Sequence, residues 1–266
     1  AAHPLYHPFG VVPMGGTVQR QKDLEAYEME RDGRDVPKNV RGTYNGSFPH
    51  DGTSPNDHCD QDPATSKPWV TMPRVVQGVN ILRNIGAPTV KAFKLDLKAA
   101  YTQLFHQSSQ RWRQIIFWTW LEKGEWRGGY LHDVRMEWGM AYSGTVFHRA
   151  VTSLMVRWVE KALREEWAPN IKCSTTREWM LRRLEMGLDG TQGVPGMVQG
   201  FLDDFWIFAA GTEEDIALAR VVVMKAFQKA GFLVSASKLR TEGSMAEEVV
   251  ILGHDIDIAG GTRGVT

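Results

Sequence analysis

Gln199-Gly200-Phe201-Leu202-Asp203-Asp204-Phe205-Trp206-Ile207-Phe208-Ala209-Ala210 sets two adjacent carboxylates between two apolar runs. Phe, Trp and Ile favour strands, so the pair reads as the tip of a β-hairpin. Neighbouring carboxylates repel each other and an apolar frame strengthens the repulsion, so such a tip attracts a cation. The plainer alternative is an Asp-rich turn, which is common between strands. A third carboxylate elsewhere in the chain decides between the two.

Working outward, Lys91 to Tyr101 reads as a strand running into a tight turn or short helix. Alternation puts Phe93, Leu95 and Leu97 on one face and Lys94 and Asp96 on the other. Between Asp96 and the hairpin lie a second strand at Ile115–Trp120, a turn at Leu121–Glu125 and a return from Tyr130 to Trp138. A long helix then runs from Tyr142 to Trp167, striped by Phe147, Val151, Leu154, Met155, Trp158, Val159, Ala162 and Leu163. A short helical piece is expected at Glu178–Met186. After the hairpin come a helix from Asp215 to Ala230 closed by Gly231, then strands at Phe232–Val234 and Val249–Leu252. Upstream, Val75–Ile85 has helical spacing and stops at Gly86 and Pro88. Strand, helix, hairpin and helix in this order give split-βαβ topology, an α+β fold with an antiparallel ferredoxin-like sheet backed by helices. In that topology Asp96, Asp203 and Asp204 converge on one open sheet face.

The 266 residues suffice for one large domain or two smaller ones, with 42% hydrophobic content, 10 Trp and 11 Phe. Lys plus Arg total 31 and Asp plus Glu total 31, so a uniformly basic nucleic-acid binder is excluded while a local basic groove is not. Cys59 and Cys173 make no disulfide framework, which suits a reducing, intracellular setting, cytoplasmic or nuclear. Nothing in the sequence reads as a membrane span, and no membrane partner is expected. The Gly/Pro/Asp-rich stretch up to about Pro68 carries a charged segment, Gln19–Lys38, that reads as a solvated helix or loop. His58-Cys59-Asp60 has no zinc spacing and reads as a turn. A first residue of Ala suggests a piece of something longer.

Three carboxylates without His or Cys select a hard, oxygen-liking dication, Mg²⁺ before Zn²⁺. Two such ions about 4 Å apart clamp the attacking and leaving oxygens of a phosphoryl displacement. Here the sequence resembles the fingers and palm of a reverse transcriptase, in motifs that run collinearly along nearly the whole chain. Lys94-Leu95-Asp96-Leu97-Lys98-Ala99-Ala100-Tyr101 is similar to motif A, and Trp138-Gly139-Met140-Ala141-Tyr142-Ser143-Gly144-Thr145-Val146-Phe147 to motif B. Phe201-Leu202-Asp203-Asp204 resembles the Tyr-x-Asp-Asp of motif C, and Gly231 to Lys238 resembles motif D with its lysine. Ile251-Leu252-Gly253-His254 is similar to the primer-grip turn. Upstream, Val40-Arg41-Gly42-Thr43-Tyr44-Asn45 with Ser47 to Gly52 and Asn56-Asp57 is similar to the fingers of retroelements of the DIRS and tyrosine-recombinase type.

The resemblance implies an RNA-directed DNA polymerase core, a nucleotidyltransferase that joins dNTPs to a primer 3′-hydroxyl on an RNA or DNA template. Asp96, Asp203 and Asp204 would be catalytic and would hold Mg²⁺, or Mn²⁺ in its place, with the Leu97 carbonyl as a further ligand. Arg41, Leu97, Tyr101, Trp138, Gly139 and Lys238 would bind the nucleotide, Tyr101 excluding a 2′-hydroxyl. Leu252, Gly253 and His254 would grip the primer. Fingers are expected at 1–90 and palm at 91–266, with a fingers insertion at about 106–137. The thumb and any RNase H would lie beyond Thr266 in a polyprotein. Phe201, Met14, Asn45 and Gly42 depart from the family pattern, and the Gln19–Lys38 and Asn170–Val198 segments look inserted. These departures favour an alternative, a domesticated or inactive domain kept as a structural or interaction module.

Overall fold

The computed structural model describes residues 14–18, 40–44, 56, 70–105, 107–108, 115–132, 134–136, 141–186, 194–241 and 243–258. The Gln19–Lys38 segment, the His58-Cys59-Asp60 turn, Trp138 and Gly139 lie outside the described residues, as do most of the Ser47–Asp57 stretch and positions 187–193. In chain order the strands and helices are β1 Met14–Val18, β2 Val40–Tyr44, α1 Met72–Arg83, β3 Thr89–Asp96, β4 Ile115–Glu122 and β5 Glu125–His132. There follow α2 Ala141–Phe147, a π-helical turn His148–Thr152, α3 Ser153–Ala162, a second π-helical turn Leu163–Trp167 and α4 Ser174–Glu185. The chain continues with β6 Gly196–Phe201, β7 Asp204–Gly211, α5 Glu213–Lys229, α6 Ala236–Thr241, β8 Glu248–Ile251 and β9 His254–Asp257.

Two compact units result: Ala1–Ser66 with Tyr101–Thr145, and Lys67–Ala100 with Val146–Thr266. In this partition α1 goes with the sheet, and 101–145, which includes the fingers insertion expected at about 106–137, goes with the N-terminal segment. In the first unit β1 pairs with β2 and β4 with β5, both antiparallel. The β4–β5 turn is Lys123-Gly124, φ 52° and 83°, shorter than the Leu121–Glu125 turn expected, because two left-handed residues match the twist of the flanking strands. A bridge between Phe105 and Arg135 closes the base of this excursion, with the Arg135 guanidinium 5.0 Å over the Phe105 ring.

The second unit is built on a three-stranded antiparallel sheet ordered β3-β7-β6. The hairpin therefore returns beside the Asp96 strand, the split-βαβ order. Where a fourth strand would flank β3 there are two isolated bridges, Ala92 to Ala246 and Leu97 to Val234. Phe232–Val234, expected as a strand, makes only the second of these, and the short helix α6 follows it directly.

Every residue of β7 from Phe205 to Gly211 is buried. On one face Trp206, Phe208 and Ala210 join Val75, Val79 and Leu82 of α1 and Ile251 and Ile256 of β8 and β9. On the other, Phe205 meets Phe227 of α5 edge-on at 5.0 Å. The open sheet face expected from sequence is thus covered along β7, and only its Asp204 end is partly accessible. In the long helical region, Phe147, Val151, Met155, Val159, Leu163 and Trp167 are all buried. A strict four-residue repeat drifts by about 40° per step around an ideal α-helix. The two wide π-helical turns absorb that drift and keep the line facing inward. The same underwinding narrows the stripe, so Leu154 and Trp158, expected inside, are 58% and 44% exposed.

Candidate functional site

The carboxylate cluster is a product of register. β3 and β7 pair so that Asp96 stands directly opposite Asp204, while Phe201 faces Asp204 from β6. Directly opposed residues share a sheet face with Cβ atoms about 5 Å apart. Lys94, two residues before Asp96, lies on the same face and is half-buried. Leu202 and Asp203 form the two-residue turn, Leu202 with φ 54°. The Asp203 carbonyl accepts a hydrogen bond from the Leu97 amide at 3.1 Å, which ties the tip to the end of β3.

The segment after α5 closes the other side of Asp96. The Ser235 amide donates to the Asp96 carbonyl at 2.8 Å and the Lys98 amide to the Leu233 carbonyl at 2.8 Å. This places α6 so that the Lys238 ammonium donates to Asp96 Oδ2. The Asp96 side chain is 13% exposed and that of Lys238 47%. Burial is the main cause that pushes the Asp204 carboxyl up to about 6, and the charges of Asp96 and Asp203 push the same way against Lys238 and Lys94. Three acids thus crowd one sheet end with two lysines as partial counter-charge.

Leu97 is buried at the bridge to Val234. Tyr101 is 2% exposed in a one-turn 3-10 helix, Ala100–Gln103. Arg41 stands in β2 opposite Thr17. Leu252 and Gly253 form the β8–β9 turn, φ 50° and 82°, and His254 opens β9, exposed. The structure gathers Asp96, Leu97, Asp203, Asp204 and Lys238 in one place.

Three contributors carried no obvious sequence signal as site residues. Lys94 falls on the Asp96 face by alternation, but alternation alone assigns it no role. Gln199 accepts from Trp206 Nε1 at 3.0 Å, beside the hairpin. Thr152, 50 residues before the tip, donates its hydroxyl to the Leu202 carbonyl at 2.6 Å.

The donor set suits a hard cation, since it is all oxygen. Among the described residues, however, no group of three or more His, Cys, Asp or Glu side chains is placed so that it could hold a metal ion. Lys238 occupies one oxygen of Asp96 instead. Also among the described residues, no helix is long and apolar enough to cross a membrane.

No protein-family model and no curated protein matches the chain. Solved structures do match. Apo telomerase from Candida tropicalis, truncated from its C-terminal domain, aligns with TM-score 0.41 and 13% identity over 74% of this chain and 40% of that one. Telomerase from Candida albicans in complex with a TWJ fragment of telomeric RNA aligns with TM-score 0.40 and 11% identity over 71% and 33%. The chain spans less than half the length of these telomerase chains. Scores near 0.4 fall below what establishes a shared fold, so the functional case stands on the residues. The comparisons give no support to the narrower likeness to DIRS-type retroelements.

Proposed function

We propose that the chain is a reverse-transcriptase-type nucleotidyltransferase core, extending a primer with dNTPs on an RNA template. The observation that carries the reading is the juxtaposition of Asp96 with Asp204 across β3 and β7, with Asp203 in the adjoining turn and Lys238 on Asp96. A fold that needed only a turn would have no reason to set three acids where each raises the cost of ionising the others.

Asp96 and Asp203 would hold Mg²⁺, with Asp204 and the Leu97 carbonyl beside them. When bound, the dication neutralises phosphate charge and makes a primer hydroxyl a better nucleophile. The remaining work falls to the chain's own groups. Lys238 Nζ, already at the site, donates a proton or a charge-assisted hydrogen bond to the departing pyrophosphate. The resemblance alone would assign Arg41 the pairing with triphosphate oxygens through its planar fork. Tyr101 excludes a 2′-hydroxyl by bulk, and the Leu252-Gly253-His254 turn seats the primer.

Primer extension on poly(rA)·oligo(dT) with Mg²⁺ or Mn²⁺ tests this, comparing the native chain with Asp203→Asn. Native incorporation abolished by the substitution is expected, and equal incorporation by both proteins would sink the reading. The second reading, an inactive domain retained as an interaction module, is favoured by the pairing of Lys238 with Asp96 and by the lack of a ready three-ligand group among the described residues. It predicts nucleic-acid or protein binding unaffected by Asp203→Asn.

A further inference from the structure

The carboxylate tip rests on a residue in an unfavourable backbone state. Leu202 has φ 54°, a left-handed region that disfavours any side chain with a Cβ. Such a conformation persists where its surroundings over-determine it. Two contacts do so here. The Asp203 carbonyl takes the Leu97 amide, and the Leu202 carbonyl takes the Thr152 hydroxyl at 2.6 Å.

Thr152 ends the first π-helical turn and is 1% exposed. A helical threonine ordinarily bonds the carbonyl one turn back in its own helix. This one reaches across to a hairpin instead. Its methyl has a separate task. A Cβ placed on Gly200 would lie 2.7 Å from Thr152 Cγ2 and 2.9 Å from Phe205 Cδ1. A glycine inside a strand often marks such a close approach. The hydroxyl therefore fixes the turn while the methyl fixes how near the helix stands to β6.

We propose that Thr152 is a positioning residue for the Asp203–Asp204 tip, holding Leu202 in its left-handed state through the hydroxyl and setting the height of β6 through the methyl at Gly200. What the tip does rests on the nucleotidyl-transfer reading; the positioning does not.

Three measurements on the 266-residue chain test it: amide exchange at Leu97, amide exchange along α5, and Mn²⁺ affinity by proton relaxation. Thr152→Val keeps the methyl and removes the donor, whereas Thr152→Ser keeps the donor. The valine variant is expected to speed Leu97 exchange by up to about tenfold, the equivalent of one hydrogen bond. Its Mn²⁺ binding should weaken with no change along α5, and the serine variant should keep native exchange at Leu97. Native exchange in the valine variant, equal changes in both variants, or acceleration spread through α5 would overturn the proposal. If Leu97 responds as expected but Asp203→Asn leaves Mn²⁺ binding unaltered, the positioning stands and the nucleotidyl-transfer reading fails.

Discussion

At the scale of single residues, Asp204 links charge to stability. Its carboxyl is pushed up to about 6 in the folded chain, above the ordinary aspartate value, chiefly through burial. The folded state therefore binds this proton more tightly than the unfolded state does. Its contribution is fully present below pH 4 and is lost as pH rises through 6. Asp204→Asn should remove that fall and stabilise the chain at pH 7.5 by about 1–2 kcal/mol, discounted for partial exposure. Urea melts at pH 4.5 and 7.5 check it, and an unchanged difference between the two pH values would refute the assignment. Tyr101 offers a second test. As a steric gate, Tyr101→Val raises the incorporation of ribonucleotides relative to deoxynucleotides. As a core side chain alone, it lowers stability by about 2–4 kcal/mol with selectivity unchanged. Asp96, Asp203, Asp204 and Lys238 were legible because each belongs to a short local pattern. Thr152 was not, since nothing near it in sequence announces a partner 50 positions on.

At the scale of elements, α5 begins on a capping device that periodicity does not reveal. Thr212 and Asp215 form a reciprocal capping box, which hides when the third residue is Asp rather than Glu or Gln. Asp215 does more than cap. Its oxygens also accept the amides of Lys172 at 2.7 Å and Cys173 at 3.1 Å, and its carbonyl accepts Trp167 Nε1 at 2.7 Å. Burial alone would raise the Asp215 carboxyl, but these amide donors and the Thr212 side chain outweigh it and hold the group below its ordinary value. The stability it supplies is therefore present above the unfolded-state value and is lost as pH falls through the depressed folded value. Asp215→Ala removes the acceptor of the Lys172, Cys173 and Thr212 amides and should destabilise by about 2–4 kcal/mol, read as a lower urea midpoint at pH 7. A loss under 0.5 kcal/mol, the scale of a neutral surface change, would show that water replaces the carboxylate. The strands of the hairpin and helices α1 and α5 were readable from periodicity. The helix α6 was not: six residues are too few for a period to show, and its place is set by the Ser235 and Lys98 bonds to the β3 end.

At the scale of the whole molecule, the core cluster around α1 and β7 draws its described members from 67–100 and 146–266. The three strands of the sheet unit also come from those two segments. Replacing 101–145 by a flexible Gly/Ser linker of about 15 residues, with a span of roughly 20 Å, should preserve its cooperative unfolding. Trp206 and Trp167, both buried in that unit, report on it by fluorescence. A broad, non-cooperative melt would show that 101–145 is required for the sheet to form. Fold class was legible at this scale because the order of elements is carried by long periodic segments. The bounds of the units rest on contacts between residues distant in sequence.

β7 has no wet side. Apart from Asp204, each of its residues is enclosed by α1 and β8–β9 on one face or by the helices on the other. An amphipathic strand can change half its letters without penalty, but this one has no such positions to vary. In a saturation scan scored by folding alone, Phe205 to Gly211 should stand out as an unbroken block of intolerance. Asp204, at its accessible end, should tolerate replacement in that same scan and fail only when the score is catalysis. The boundary between what the chain needs in order to fold and what it needs in order to act would then fall between two adjacent residues, Asp204 and Phe205.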